Sequence, residues 1–523
     1  MPQCLQCKKQ FNISSQVQSL MKRLKLKDLK YCFNCSKQIM LSFWPYGNFY
    51  LKKDDLTGEN IITTYPPQTK FPIYKRSNWH SDNWQAPQQD YDKNRTYFEQ
   101  LIELQQKTPH FHALGDADSV NCDYCDDVWS SRNCYYNRSF LECENLHYSY
   151  RNIKVKDSID ITFSFNLNNC YDCTYCFDSY NLNYSINSRN CLDSYFLYDC
   201  RECEHCFMCY NLRFKKYCII NKQYTKEEYC NLLAAYKLND FKTIQNLKQK
   251  FSEILKNIAL HKQDLNTKTE ECNGNFLDKC KSVENSFLTQ ESENCSNFFR
   301  GIIDKDSLNI SGCLRGELNY FVVQSSDLYN CKVMIYCLNC IESEYCDQCY
   351  DCKNCFGCVG LKKRQYCILN RQYSEERYYN LINILKKTKD YGKFFPQIMA
   401  YNGYNASLAK FYYSLNNEDI VKFGSFYEEE AVVINQKDAI ICEATKKPFK
   451  LIPQEIEFYQ KNNIPTPHHH PDHRNIIRYQ FMTAVNEQRG NCRKCQKEIV
   501  HYYPLEWNYQ NILCNNCYHE NIY

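Results

Sequence analysis

From Cys122 to Cys230 every cysteine falls in one phase of a three-residue repeat, and from Cys280 to Cys367 every cysteine falls in one phase of a second. The first phase runs through 32 positions from Ser119 to Leu212, of which 12 are Cys, 9 Ser and 5 Leu, and none is charged. The second runs through 30 positions from Gly274 to Leu361, 11 of them Cys, with Asp304 the single charge. An uncharged phase of that length is an inward face. A plain strand alternates with period two and a helix with 3.6, so a strict period of three needs a chain whose corners reset the alternation at every step. The pattern predicts a cysteine-rich β-solenoid in two blocks. Thiols also recur nine apart, at Cys331, Cys340, Cys349, Cys358 and Cys367 and again at Cys191, Cys200, Cys209 and Cys218. That spacing predicts a turn of nine residues, or half a turn of eighteen. The outward positions carry Tyr, Asn, Asp, Arg and Glu, so the 45 tyrosines read as surface ladders and not as a binding box.

The cysteines nearer the termini pair differently. Cys4 and Cys7 form one C-x2-C knuckle and Cys32 and Cys35 another, and Cys492, Cys495, Cys514 and Cys517 repeat the arrangement with a shorter spacer. Four soft ligands in two knuckles suit tetrahedral Zn2+, so a structural zinc ribbon is expected at each end. A third copy aligns at a constant offset of 438: Cys442 for Cys4, Thr445 for Cys7, His470 for Cys32 and His473 for Cys35. Cys442, His470 and His473 are zinc-competent, and His468 or His469 stands near the lost fourth position. This copy reads as a decayed or water-capped structural site, with an open catalytic zinc as the competing reading. A fourth copy, Asp55-Leu56-Thr57-Gly58 aligned with Cys492-Arg493-Lys494-Cys495, has lost both thiolates, and Trp79 and Trp84 are expected to replace metal by packing.

The blocks look duplicated, since Cys203-Glu204-His205-Cys206-Phe207-Met208-Cys209 matches Cys352-Lys353-Asn354-Cys355-Phe356-Gly357-Cys358 at an offset of 149. Thr225 and Glu228 have capping-box spacing, and residues 226 to 263 read as two amphipathic helices carrying Leu232, Leu233, Tyr236, Phe241, Ile244, Leu247, Phe251, Ile254 and Leu255. Residues 374 to 390 read as a second helical cap. The expected fold is mostly β with α, the two blocks flanked by tandem zinc ribbons. The segments are a zinc ribbon at 1–53, a metal-free ribbon and linker helix at 54–114, block 1 at 115–224, a helical cap at 225–268, block 2 at 269–373, a cap and linker at 374–438, a degenerate ribbon at 439–480 and a zinc ribbon at 481–523.

No apolar run approaches the roughly 18 residues of a membrane span, and mean hydropathy is −0.66, so no membrane association is expected. The first residues lack the apolar core of a secretory signal, which points to the cytoplasm, where 36 cysteines serve as ligands, core residues or redox groups and not as disulfides. The formal charge of +4, from 64 basic and 60 acidic side chains, neither requires nor excludes a nucleic-acid partner.

With these segments in place the chain resembles the zinc-ribbon, cysteine-rich repeat proteins of candidate-phylum bacteria with small genomes. The carrying segments are Asp55-Leu56-Thr57-Gly58, Trp79-His80-Ser81-Asp82-Asn83-Trp84, Ser194-Tyr195-Phe196-Leu197-Tyr198-Asp199-Cys200, Cys355-Phe356-Gly357-Cys358-Val359-Gly360-Leu361 and Glu457-Phe458-Tyr459 before Ile464-Pro465. The resemblance implies an architecture and no particular activity. Family ribbons read Cys-Pro-x-Cys-Arg at the second knuckle, whereas this chain has Cys32-Phe33-Asn34-Cys35-Ser36 and His470-Pro471-Asp472-His473-Arg474.

A phosphate-cradling loop, a nucleophile elbow and a metalloprotease helix are all missing from the sequence, so a non-enzymatic reading leads. It is a zinc-binding interaction or scaffold protein whose ribbons contact a protein, RNA or the ribosome, with Lys22, Arg23, Lys25 and Lys27 as candidate phosphate contacts. The alternative is metal or thiol handling by the stacked cysteines, against which stands the use of Cys as a small, inert core residue.

Overall fold

The computed structural model describes residues 1–309, 311–312, 316–325, 328–335, 337, 339–429 and 439–522, so Ile310 and Cys313 of the inward phase lie outside the described residues. The chain divides into two compact units, Met1–Ala113 with Leu265–Glu429 and Leu114–Asp264 with Glu430–Tyr523. Each therefore combines one cysteine-rich segment with one terminal four-cysteine group, and the structure is mostly strand with helices.

In the unit that begins at Leu114, fourteen strands form one sheet. Parallel neighbours pair residue i with residue i+12, as in Cys122↔Cys134, Ile161↔Cys173 and Cys206↔Cys218. Tyr150–Ile153, Lys156–Thr162, Phe165–Asn168, Tyr171–Thr174 and Phe177–Asn183 close on one another as a five-stranded parallel barrel, which further strands extend. The other unit repeats the interval at Gly274↔Ser286, Tyr320↔Lys332 and Cys355↔Cys367. The parallel pairing thus runs at an interval of twelve residues, four triplets, and not at the nine or eighteen that the thiol spacing suggested.

The interval of nine appears in the structure as a side-chain contact and not as strand pairing. An inward Cys sulfur contacts the carbonyl two residues back and the carbonyl nine ahead: Cys173 lies 3.4 Å from Tyr171 O and 3.2 Å from Leu182 O, and Cys200 lies 3.6 Å from both Tyr198 O and Cys209 O. Nine is one interval of twelve less one triplet, so the contact reaches the adjacent corner of the next tier.

The period of three comes from the backbone. From Asn121 to Ile220 every third residue has φ between 44° and 61°, and each stands immediately before an inward position. Left-handed backbone costs an L-residue about 1–2 kcal/mol, least for Asn and Asp, which explains why Asn133, Asn145, Asp157, Asn169 and Asn181 occupy these corners. Their side chains then bond along the stack, Asn145 Nδ2 donating to Asp157 Oδ1 at 2.7 Å and Asn181 to Asp193 at 2.7 Å.

Serine recurs on this largely apolar inward face because the backbone there needs partners. Ser185 Oγ accepts the N–H of Leu197 at 3.0 Å and donates to Asn183 O at 2.9 Å. Ser131 does the same for Cys143, Ser164 for Cys176 and Ser194 for Cys206. A thiol can take the accepting role, as Cys170 does for Leu182 N–H at 3.4 Å.

Helices cover much of what was expected to be exposed. The capping box forms, Thr225 Oγ1 accepting from Glu228 N at 3.2 Å, ahead of helices Lys226–Ala234 and Phe241–Asn257. Ile244, Leu247, Phe251, Ile254 and Leu255 are buried, whereas Leu232 faces solvent. Ser374 caps the helix Glu375–Leu385 in the same manner. The tyrosine reading needs correction: Tyr124, Tyr136 and Tyr148 do stack along the twelve-residue interval at 6.5 and 6.0 Å, but Tyr148, Tyr150, Tyr171 and Tyr184 are buried. Tyr150 packs on Tyr479 and Tyr171 on Tyr459. Arg474 and Arg478 of the helix Pro471–Gln480 bind Asp160 at 2.7 and 3.0 Å in the same buried seam. In the other unit the helix Phe33–Ser42 is held by Lys37, ringed by Phe33, Phe287, Phe299 and Tyr413 at 5.2–5.6 Å, where burial pushes its ammonium down to about 7.

Replacing Ser185 tests the inward accounting. Ser185→Ala leaves Leu197 N–H and Asn183 O buried without that partner, and the full chain should lose about 1–3 kcal/mol of stability in denaturant unfolding. Ser185→Cys, which keeps a donor and an acceptor, should lose clearly less.

Candidate metal centres

Four segments of the chain close the same knuckle. Cys4 N–H donates to Lys9 O and Lys8 N–H back to Cys4 O; Asp54 pairs likewise with Glu59 and Gly58, Cys442 with Lys447 and Lys446, and Cys492 with Lys497 and Gln496, all at 2.8–3.0 Å. The fifth residue of each knuckle has positive φ: 62° at Lys8, 77° at Gly58, 60° at Lys446 and 61° at Gln496. This geometry turns the following backbone N–H groups toward the side chain of the first residue, which is the place for an anion.

At two knuckles that anion is one of four thiols. The Sγ atoms of Cys4, Cys7, Cys32 and Cys35 all lie within 4.8 Å of one another, as do those of Cys492, Cys495, Cys514 and Cys517, and each group can hold a metal ion. The closest outer pairs, Cys7 with Cys32 and Cys495 with Cys514, are 3.9 Å apart. A tetrahedral ion with bonds of 2.3 Å to sulfur needs edges of about 3.8 Å, so the donor sets fit with little movement. Cys4, Cys35, Cys492 and Cys517 are buried, Cys7 and Cys495 are exposed, and Cys32 and Cys514 are half-buried. A hydrogen bond from the Cys35 thiol holds Cys32 down to about 5, while Cys35 is pushed up. At Cys492 burial opposes ionisation, but the N–H groups of Cys495, Cys514 and Lys494 prevail and hold the thiol at about 6.

At the third knuckle Thr445 N–H reaches Cys442 Sγ at 3.4 Å. Burial raises the pKa of this thiol, yet the N–H groups of His470, Thr445 and Ala444 bring it below its ordinary value. The histidines are otherwise engaged. His470 Nδ1 accepts Asp472 N–H at 3.1 Å and so caps its helix, His468 Nδ1 bonds Glu443 Oε1 at 2.8 Å and stacks on Phe241, and His473 packs edge-on to His469. Among the described residues, only the two four-cysteine groups bring three or more such ligand atoms within 4.8 Å of one another, and Cys442, His470 and His473 are not among them.

The fourth knuckle starts at Asp54, so the expected alignment through Asp55 is off by one and the offset to Cys492 is again 438. Its carboxylate does the work of a thiolate and a metal together. Oδ1 accepts the N–H groups of Leu56 at 2.7 Å and Thr57 at 3.2 Å, and Oδ2 accepts Lys75 N–H at 2.9 Å and the Asn78 amide at 2.6 Å. Burial raises the pKa of Asp54, but the Asn78 amide and these N–H groups outweigh it and hold the group below its usual value. Trp79, fully buried, donates to Pro109 O, and Trp84 to Trp79 O. Gly58, at the one knuckle position that demands positive φ, is the sequence signal that fixes the correct register.

Of the candidate phosphate contacts, Arg23 pairs with Asp306 at 3.1 Å, while Lys22, Lys25 and Lys27 are exposed on the turn after the helix Ser15–Arg23 and at its end. Among the described residues, no helix is long and apolar enough to cross a membrane.

Removing the carboxylate at Asp54 should be costly. Asp54→Ala strands four donors, and the loss should be about 1–3 kcal/mol at neutral pH. Because the folded-state pKa is depressed, that contribution is present above the unfolded value of about 3.9 and disappears as pH falls through the folded one. The gap between wild type and variant, measured by denaturant unfolding across pH, should therefore close below about pH 4. The chain matches no family model and no curated protein.

Proposed function

We propose that this chain is a zinc-stabilised, non-enzymatic interaction protein. The observation that carries the reading is the pair of four-thiol groups, each with sulfur spacing suited to Zn2+ and with all four positions supplied by protein, which leaves none open for a reacting water or substrate. We read the cysteine-rich segments as two duplicated β-solenoid blocks of twelve-residue tiers that act as a rigid support for the ribbons, and the chain as a member of the zinc-ribbon, cysteine-rich repeat family that it resembles. The partner is a macromolecule that the ribbons contact. Exposed Lys22, Lys25 and Lys27 favour a phosphate backbone, as of RNA free or in the ribosome.

The alternative, metal or thiol handling by the blocks, gains little support. Their thiols are buried with few exceptions and bonded to backbone carbonyls, the condition of unreactive core cysteine.

Elemental analysis of protein purified under reducing conditions should give two zinc ions per chain. Cys4→Ala and Cys492→Ala should each reduce that to one and Cys442→Ala should leave two; four or more ions in the wild type would favour the metal-handling reading. For the partner, binding of a structured RNA should weaken steeply between about 50 and 200 mM salt, and a Lys22→Ala/Lys25→Ala/Lys27→Ala variant should show a shallower salt slope. Absent or salt-insensitive binding removes the RNA reading while leaving the zinc count untouched.

A further inference from the structure

Of the described cysteines between Cys122 and Cys218 and between Cys272 and Cys367, all are buried except Cys122 and Cys272. Both begin a segment, where the stack has no preceding tier. They differ in what lies next to them. The pairing Glu270↔Lys281 runs at an interval of eleven and brings Val283, not a thiol, over Cys272. Cys122 is paired directly with Cys134 across parallel strands Val120–Asp123 and Arg132–Tyr135, both side chains inward. Neighbouring strands are about 4.8 Å apart, inside the Cα separation of about 4.4–6.8 Å that a disulfide spans.

Val120–Asp123 is the edge strand of its sheet, Val120 is 54% exposed, Asn121 and Asp123 face solvent, and Cys122 itself is only half-buried, which makes it the more accessible thiol of the pair. Cys134 is buried behind it. The two sulfurs are also unequal in acidity. The Cys134 thiol, and its backbone N–H against the opposing effects of burial, Asp123 and Asp116, hold Cys122 below the ordinary thiol value, whereas the neighbouring Cys122 sulfur and burial push Cys134 well up. An accessible, more acidic thiol backed by a second one is the arrangement of an attacking and a resolving cysteine.

We propose that Cys122 and Cys134 form a peroxide-reactive dithiol, a modification site that is oxidised to a disulfide stapling the first two tiers of this sheet. The Cys122 thiolate attacks hydrogen peroxide, forming an S–O bond as the O–O bond breaks, and the departing hydroxide takes up a proton to leave as water. The Cys134 sulfur then attacks Cys122, an S–S bond forms, the S–OH bond breaks, and that hydroxide leaves as water with the Cys134 proton. Two thiols and one peroxide yield one disulfide and two waters, and a thiol reductant reverses the change.

Full-length, zinc-loaded protein treated with one equivalent of hydrogen peroxide, alkylated and digested with trypsin tests this. Cleavage after Arg132 separates Cys122 from Cys134, so the disulfide appears as two joined peptides lighter by two hydrogens and split by reductant. The joined pair should be the first product, should persist in Cys125→Ser, which removes the other thiol of that peptide, and should vanish in Cys122→Ser. Serine occupies the same phase at Ser119 and Ser131, so the Cys122→Ser fold should survive. Iodoacetamide should label Cys122 of untreated protein roughly tenfold faster than Cys125. Sulfinic acid at Cys122 with Cys134 still alkylatable, earlier oxidation at the terminal tetrads or Cys230, equal labelling of Cys122 and Cys125, or a joined pair surviving in Cys122→Ser would each overturn the proposal.

Discussion

Everything in the cysteine-rich segments depends on how a very narrow tier of chain satisfies its own backbone. From Asn121 to Ile220 the chain bends at every third residue, and the bend is made by a left-handed residue, so one residue in three carries a conformational cost. What offsets it is parallel pairing at an interval of twelve, which aligns Asn and Asp at the corners and lets inward Ser and Asn side chains accept an N–H twelve residues on. An inward position must be small enough to share the narrow interior and must often offer an acceptor to an N–H twelve residues on. Serine meets both demands, as at Ser185, and cysteine meets the first while filling more apolar volume. The abundance of cysteine is thus an answer to geometry before it is a statement about metal.

The ribbons solve a related problem with a different partner. A knuckle whose fifth residue is left-handed turns several N–H groups onto one point, and that concentration of donors needs an anion. Cys4 and Cys492 each supply a sulfur that belongs to a group of four able to hold a metal ion, Cys442 supplies a thiol around which no tetrad gathers among the described residues, and Asp54 supplies a carboxylate with four donors of its own. The backbone of the knuckle is the same in all four. A four-thiol group is therefore one of three ways to complete it; where none gathers, Trp79 and Trp84 pack beside Asp54, and Arg474 and Arg478 bind Asp160 in the unit that contains Cys442.

Much of this could be read from local spacing. The three-residue phase, the C-x2-C knuckles, the Thr225–Glu228 box and the paired helices after it each depend on residues a few positions apart, where side-chain chemistry alone limits the choices. The nine-residue recurrence of cysteine was equally visible, but its meaning was not, because a sulfur that reaches a carbonyl nine residues ahead does so through the adjacent corner of the next tier. Sequence spacing cannot separate a stacking interval from a diagonal contact.

Other features arise only when distant parts of the chain meet. Asp54 becomes the hub of its ribbon because Lys75 and Asn78 fold back onto it, and Tyr150 and Tyr171 are covered because Tyr479 and Tyr459, some three hundred residues later, pack on them. The grouping of Met1–Ala113 with Leu265–Glu429 and of Leu114–Asp264 with the C-terminal ribbons has the same origin. Residue types and their periods decided which side chains turn inward, which follows from local geometry, and the C-x2-C spacings marked which thiols are able to gather in fours. Which surfaces are covered, and what each knuckle binds in place of a metal, followed from contacts whose partners are far apart in the chain and whose energies no local pattern records.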